Sequence, residues 1–134
     1  MPATPSDALL IEITNAFSAV QRQLGSALSI HGLGFSEYLV LWYLHNAPSN
    51  KLRRIDLADK VGLTASGITR VVNPMEKTGL VDKEQAARDA RVSLVTLTTA
   101  GARVFDEASV GFRGTADRIV RQYGRRALEA LVKS

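Results

Sequence analysis

Between residues 66 and 77 the chain sorts its side chains onto two faces of one helix. At about 100° per residue, Ser66, Thr69, Arg70, Asn73 and Lys77 point one way, and Ile68, Val71, Val72 and Met75 point the other. An ordinary surface helix mixes acids with bases on its wet side. This stripe carries hydroxyl, amide and cationic groups, with Glu76 at its edge. Those groups suit hydrogen bonding to base edges and phosphate oxygens in a DNA major groove. The plainer alternative is a solvated helix surface, for Ser66 and Thr69 in particular.

The residues around the stripe predict how it is held. Leu57, Ala58 and Val61 recur at helical spacing on a short segment that stops at Gly62, and glycine tolerates the positive φ that ends a helix. Leu63 then fills the corner, and Thr64 is a good N-cap for the polar-striped helix. Two short helices joined by such a turn form a helix-turn-helix. Arg53 and Arg54 precede the first of them, placed as phosphate clamps or as part of a solvated loop. Downstream, Leu80 to Glu84 and Val92 to Leu97 read as a two-stranded hairpin around the charged loop Gln85 to Arg91. A hairpin directly after a recognition helix is a wing. Pro74 interrupts the pattern: it removes a hydrogen bond to the carbonyl of Arg70 and predicts a kink or loosening after Asn73, which puts contacts from Lys77 in doubt.

Helices flank this unit. Leu10, Ile13, Phe17, Val20, Leu24 and Leu28 alternate spacings of three and four, a seam suited to a partner helix or to the chain's own core. After a break at His31 to Gly34, Ser36 is expected to cap a helix from Glu37 to about Asn46. That helix is apolar nearly all round and belongs in mid-core. Pro48 to Asn50 reads as a loop. Thr98 or Thr99 caps a long final helix with the stripe Phe105, Ala108, Phe112, Ala116, Ile119 and Tyr123, and a bend is expected near Gly111 and Gly114. Gly124 breaks it before a last short helix. The fold class is therefore mainly α with a small β-hairpin wing.

Composition narrows the function. With 46% hydrophobic and 22% charged residues, the 134-residue chain reads as one globular domain. The absence of cysteine excludes disulfides, thiolate metal sites and thiol redox sensing. His31 and His45 are the only histidines, and no Walker loop, nucleophile elbow or HExxH occurs, so neither an enzyme, a metal site nor a cofactor is expected. No apolar run long enough for a membrane span exists, and the start lacks a basic signal-peptide region, so a cytoplasmic location is expected. The net charge of +4 suits a polyanionic partner without proving one.

DLADKVGLTASGITR, MEKTGLV, RDAR and SLVTLTTAG, with FSEYLVLWYL upstream, resemble the MarR family of winged helix-turn-helix transcription regulators over roughly Phe35 to Gly101. The resemblance implies a single domain over 1–134, with dimerisation helices at 6–31 and 99–134 around a winged helix-turn-helix region at 36–98. It implies a homodimer on a pseudo-palindromic double-stranded operator, acting as a repressor, with the recognition helix in the major groove and the wing in the minor groove. Thr64, Ser66, Thr69 and Arg70 then fall where the family contacts DNA. Asp89 and Arg91 match the family's Asp-x-Arg wing motif, with Asp89 orienting an arginine and Arg91 or Arg88 entering a narrow A·T-rich groove. Without DNA these would be a surface ion pair of little worth. The resemblance also implies release by a small aromatic or phenolic effector. Tyr38, Trp42 and His45 share a helix face that suits such a ligand beside the N-terminal helix, or else serve as core packing. A winged helix that has lost specific DNA binding and contacts other proteins is the competing function.

Overall fold

A computed structural model describes residues 5–86 and 89–133. Six helices and three strands follow in the order α1 (Pro5–Ser29), α2 (Phe35–His45), a 3-10 turn (Pro48–Asn50), β1 (Lys51–Arg53), α3 (Arg54–Val61), α4 (Ala65–Lys77), β2 (Val81–Ala86), β3 (Asp89–Leu97), α5 (Thr99–Tyr123) and α6 (Arg125–Val132). The mainly helical winged helix-turn-helix architecture expected from the sequence is present.

α2 lies at the centre, as its all-round apolar composition requires. Tyr38, Val40, Leu41 and Leu44 are buried among Leu28 of α1, Leu57 of α3, Ile68, Val72 and Met75 of α4, Val81 and Val95 of the sheet, and Phe105 and Ala108 of α5. The aromatic rings of Tyr38 and Phe112 stack at 4.3 Å between centroids, and those of Tyr38 and Phe105 at 5.3 Å. Burial of each large apolar side chain contributes roughly 1.5–3 kcal/mol, so this junction of five helices with the sheet is a main source of the fold's stability.

Three local features differ from the sequence expectation. The hairpin is part of a three-stranded antiparallel sheet in the order β1-β3-β2, in which Leu52 pairs with Val95 and Lys83 pairs with Val95 from the other side. The strands also extend further than expected, with a register irregularity between Gln85 and Ala86. Ser36 does not cap α2: Gly34 occupies the cap position, and the carboxylate of Glu37 accepts a hydrogen bond from its backbone N–H at 2.7 Å. That is the reciprocal half of a capping box, with the acid three residues on supplying the bond a cap side chain would otherwise supply.

α5 is one uninterrupted helix of 25 residues past Gly111 and Gly114, and it packs along α1. The seam on α1 is divided. Leu28 at its end is fully buried, whereas Leu10 is 58% and Phe17 45% exposed. Tyr123 and Leu131 near the other terminus are exposed as well, and with Ile13, Phe17, Val20 and Leu128 they line an apolar hollow of about 360 Å³.

Candidate nucleic-acid interface

The helix-turn-helix forms as its residues dictate. Gly62 takes φ +82°, and its N–H donates to the carbonyls of Ala58 and Asp59 to end α3. The Thr64 hydroxyl accepts from the N–H of Gly67 at 3.0 Å and caps α4. Its oxygen also lies 3.3 Å from that of Ser66. Thr64 thus has a defined structural duty in addition to any contact it makes with DNA.

On α4, Ile68, Val72 and Met75 are buried while Ser66, Arg70 and Lys77 are exposed, so the two faces of the sequence pattern are real. Arg70 and Lys77 have no ion-pair or hydrogen-bond partner among the described residues. Their donors face solvent, ready for an external acceptor. The loosening expected after Asn73 does not occur. α4 stays helical to Lys77, with the backbone N–H of Thr78 donating to Pro74 O at 3.0 Å and its hydroxyl donating to the same oxygen at 3.1 Å. Pro74 and Arg70 are both exposed, so the Arg70 carbonyl left without an amide donor stays within reach of solvent, and the disruption is mild.

Arg53, Arg54, Thr69 and Asn73 are engaged by other groups of the protein. Arg53 holds Asp56 through two bonds, Nε to Oδ2 at 2.8 Å and Nη2 to Oδ1 at 3.1 Å. The bond to Arg53 holds the Asp56 carboxyl below its ordinary range, and the Asp56 carboxylate in turn raises the Arg53 guanidinium. Arg54 is half-buried and donates from Nη1 to the Thr69 hydroxyl at 3.1 Å, bridging the start of α3 to the middle of α4. Asn73 Oδ1 accepts from the ammonium of Lys83, which also lies 3.3 Å from Glu76 Oε2. Lys83 therefore fastens β2 to α4, a role absent from the sequence reading because nothing in the spacing pairs positions on a helix and a strand. Across the sheet, Lys51 pairs with Glu84 at 2.8 Å. Arg88 lies outside the described residues, and Asp89 and Arg91 are described in backbone alone, both within β3.

The root of the wing is tied to α5. Thr98 caps α5 by accepting from the N–H of Gly101 at 2.9 Å, and its single hydroxyl hydrogen is shared between the carbonyls of Gly79 and Leu80, at 2.6 and 2.9 Å. Gly101 packs so closely here that a Cβ would lie 2.0 Å from the Leu80 carbonyl oxygen.

Tyr38, Trp42 and His45 do come together, in a cleft of about 450 Å³. Its other wall is α5, through Phe105, Asp106, Ser109 and Arg113, rather than the N-terminal helix. Of these, only Phe105 was singled out in the sequence, as part of the core stripe of the final helix. Tyr38 is buried and its hydroxyl sits 2.9 Å from Ser109 Oγ. Ser109 donates to Phe105 O at 2.7 Å, so Tyr38 is the donor of that pair. Burial pushes the Tyr38 phenol above its ordinary range, partly opposed by Ser109 and by the charge of Arg113. Trp42, at 45% exposed, and His45 face the opening, His45 lying 4.6 Å from the Phe105 ring centre. Among the described residues no group of three or more His, Cys, Asp or Glu is placed to hold a metal ion, and no helix is long and apolar enough to cross a membrane.

Comparison with known proteins gives the same reading of the centre of the chain. Residues 31–92 match the model of the MarR family. Over 102 residues the chain is 31% identical to the HTH-type transcriptional regulator PrsX of Escherichia coli, covering 75% of this chain and 61% of that protein. It thus spans about three-fifths of the length of that relative. The fold matches Sco3205, a MarR family transcriptional regulator from Streptomyces coelicolor crystallised in complex with DNA, with a TM-score of 0.89 at 22% identity over 99% of this chain and 87% of the other. It also matches NadR in complex with 4-hydroxyphenylacetate, with a TM-score of 0.79 at 22% identity over 99% of this chain and 94% of the other.

Proposed function

We propose that this chain, which belongs to the MarR family, is a sequence-specific double-stranded DNA-binding regulator of transcription, acting as a cytoplasmic repressor. One observation carries the reading: the outer face of α4 presents Ser66, Arg70 and Lys77 to solvent, and neither cation has a carboxylate partner among the described residues. α4 enters the major groove, and the hairpin of β2 and β3 reaches the flanking minor groove through Arg88 and Arg91, oriented by Asp89. Arg53, Arg54, Thr64, Thr69 and Asn73 complete the contact surface, several of them while holding the bonds described above. The chain works as a homodimer. The exposed Phe17, Tyr123 and Leu131, which line one apolar hollow, support this, because large apolar side chains left in water on one contiguous face favour association; Leu10 on the same helical seam is exposed as well. A small phenolic or aromatic acid in the cleft of Tyr38, Trp42 and His45 releases the DNA; the exposed Trp42 and the Arg113 side chain supply the stacking surface and the cation such a ligand needs. No catalytic role is assigned.

A second reading has an observation behind it: Arg53, Asn73 and the Thr69 hydroxyl are satisfied internally, as in a winged helix that contacts proteins instead. Gel shift against the DNA upstream of the chain's own gene, at two salt concentrations, separates the two. Sequence-specific binding that weakens steeply with salt supports the regulator. Failure to bind any duplex at low salt would falsify it.

A further inference from the structure

Thr69 stands beside Arg70 on the polar face of α4, where either its hydroxyl or its methyl could meet a base. A hydroxyl has one hydrogen to give. That hydrogen goes to the carbonyl of Ala65, one turn back, at 3.0 Å. The oxygen also accepts from Arg54 Nη1 at 3.1 Å. With its donor committed, Thr69 has no proton to offer the O4 of thymine or the O6 and N7 of guanine, the major-groove acceptors a threonine ordinarily addresses. Two bonds from fixed partners on α3 and α4 also select one side-chain rotamer among the staggered wells. The hydroxyl keeps one lone pair, but thymine and guanine present only acceptors along their major-groove edges and cannot use it; toward a thymine, what remains free to report on sequence is the γ-methyl group.

We propose that Thr69 is a specificity-determining residue that recognises the 5-methyl group of a thymine, and that Arg54 is a positioning residue that holds it for this contact. The proposal rests on the DNA-binding reading above. Apolar contact between a threonine methyl and the thymine methyl is a major-groove readout in its own right. It differs from the other contacts of α4 because it is indifferent to hydrogen bonding and lost on removal of a single carbon.

The test uses the full chain and the operator defined by gel shift, with each thymine of a half-site replaced in turn by deoxyuridine, which deletes only the methyl. Fluorescence anisotropy should find one position per half-site where the replacement weakens the native protein about four-fold, the value for one buried methyl. Thr69→Val loses both hydroxyl bonds, but a helical valine holds one rotamer by its own β-branching and keeps a methyl there, so it should keep that sensitivity. Thr69→Ser keeps the hydroxyl, loses the methyl and should bind the thymine and deoxyuridine duplexes equally. Arg54→Ala should reduce the deoxyuridine effect, whereas a residue acting only on phosphate would weaken both duplexes in parallel and leave the ratio intact. Circular dichroism of each variant confirms that it is folded. Native protein that binds its operator yet ignores every deoxyuridine, or a Thr69→Ser variant that retains the sensitivity, overturns the inference alone. Native protein that binds no duplex overturns the DNA-binding reading and this inference with it.

Discussion

Replacing Gly101 by alanine should destabilise the protein, although alanine is the better helix former. The added Cβ would sit 2.0 Å from the carbonyl oxygen of Leu80 and 2.9 Å from Leu97 Cδ1. Leu97 can rotate, but the carbonyl is backbone and would have to retreat by roughly 1.4 Å to restore ordinary contact. That same oxygen accepts from the Thr98 hydroxyl and from the Thr98 N–H, so its retreat strains the cap of α5. Overpacking of this kind costs about 1–3 kcal/mol, and a weakened cap adds about 1 kcal/mol. The gain in helix propensity offsets at most about 1 kcal/mol, leaving a net loss of about 1–3 kcal/mol. Gly114→Ala is the internal control. A Cβ there meets nothing within 4 Å, and the residue lies well inside the same helix. It should therefore gain about 0.4–1 kcal/mol, mainly by restricting the unfolded chain. Urea denaturation followed by far-ultraviolet circular dichroism, at matched protein concentration because association adds to apparent stability, measures both. One substitution type in one helix should shift the midpoint in opposite directions. A Gly101→Ala protein as stable as the native one would refute the close packing argued for this joint.

Four other perturbations have defined outcomes. Thr64→Ala removes the bond to Gly67 N–H and should lower stability by about 0.5–2 kcal/mol in the same denaturation assay, with Thr64→Ser largely restoring it. Pro74→Ala restores an amide donor for the Arg70 carbonyl and should raise the unfolding free energy, by well under the about 3 kcal/mol that an interior proline ordinarily costs because the disruption here is mild; a fall in stability would mean that the proline is favourable where it stands. Arg70→Ala should weaken operator binding by about 1–3 kcal/mol and relax specificity, whereas equal weakening on operator and random DNA would reduce Arg70 to a phosphate contact. Because burial raises the Tyr38 phenol above its ordinary value, its folded form holds the proton more tightly than its unfolded form. Stability from this residue is thus intact below about pH 10 and falls as pH rises further, so melting temperatures of native and Tyr38→Phe proteins should converge toward alkaline pH. A constant difference between them would contradict the raised phenol.

Local chemistry was readable before any coordinates. Gly62, Thr64 and the two faces of α4 each follow from preferences that act within a few residues, and each recurs in the structure. β1 was missed because Lys51 to Arg53 is too short to display a period of two; it exists because β3 offers it an edge. Ser36 looked like a cap on residue type alone, but the helix starts one residue before it and Glu37 supplies the bond. Packing of its buried side, Met75 included, carried α4 past Pro74 against the low helix propensity of proline. The partnerships of Arg54 with Thr69 and of Lys83 with Asn73 span different elements, and no periodicity encodes which exposed side chains will meet. The candidate site was therefore legible as a face, while the division of labour on it came from tertiary geometry.

The joint at Thr98 has a mechanical consequence. α5 is a single stiff rod of 25 residues, about 37 Å long at the usual rise. One end carries the exposed Tyr123; the other is bonded through Thr98 directly to the carbonyls of Gly79 and Leu80, with no slack segment between. A rod of that length pivoting at its far end by about 5° sweeps its tip through about 3 Å. The wing root would ride on that lever, and a displacement of that size is comparable to the spacing of one base-pair step.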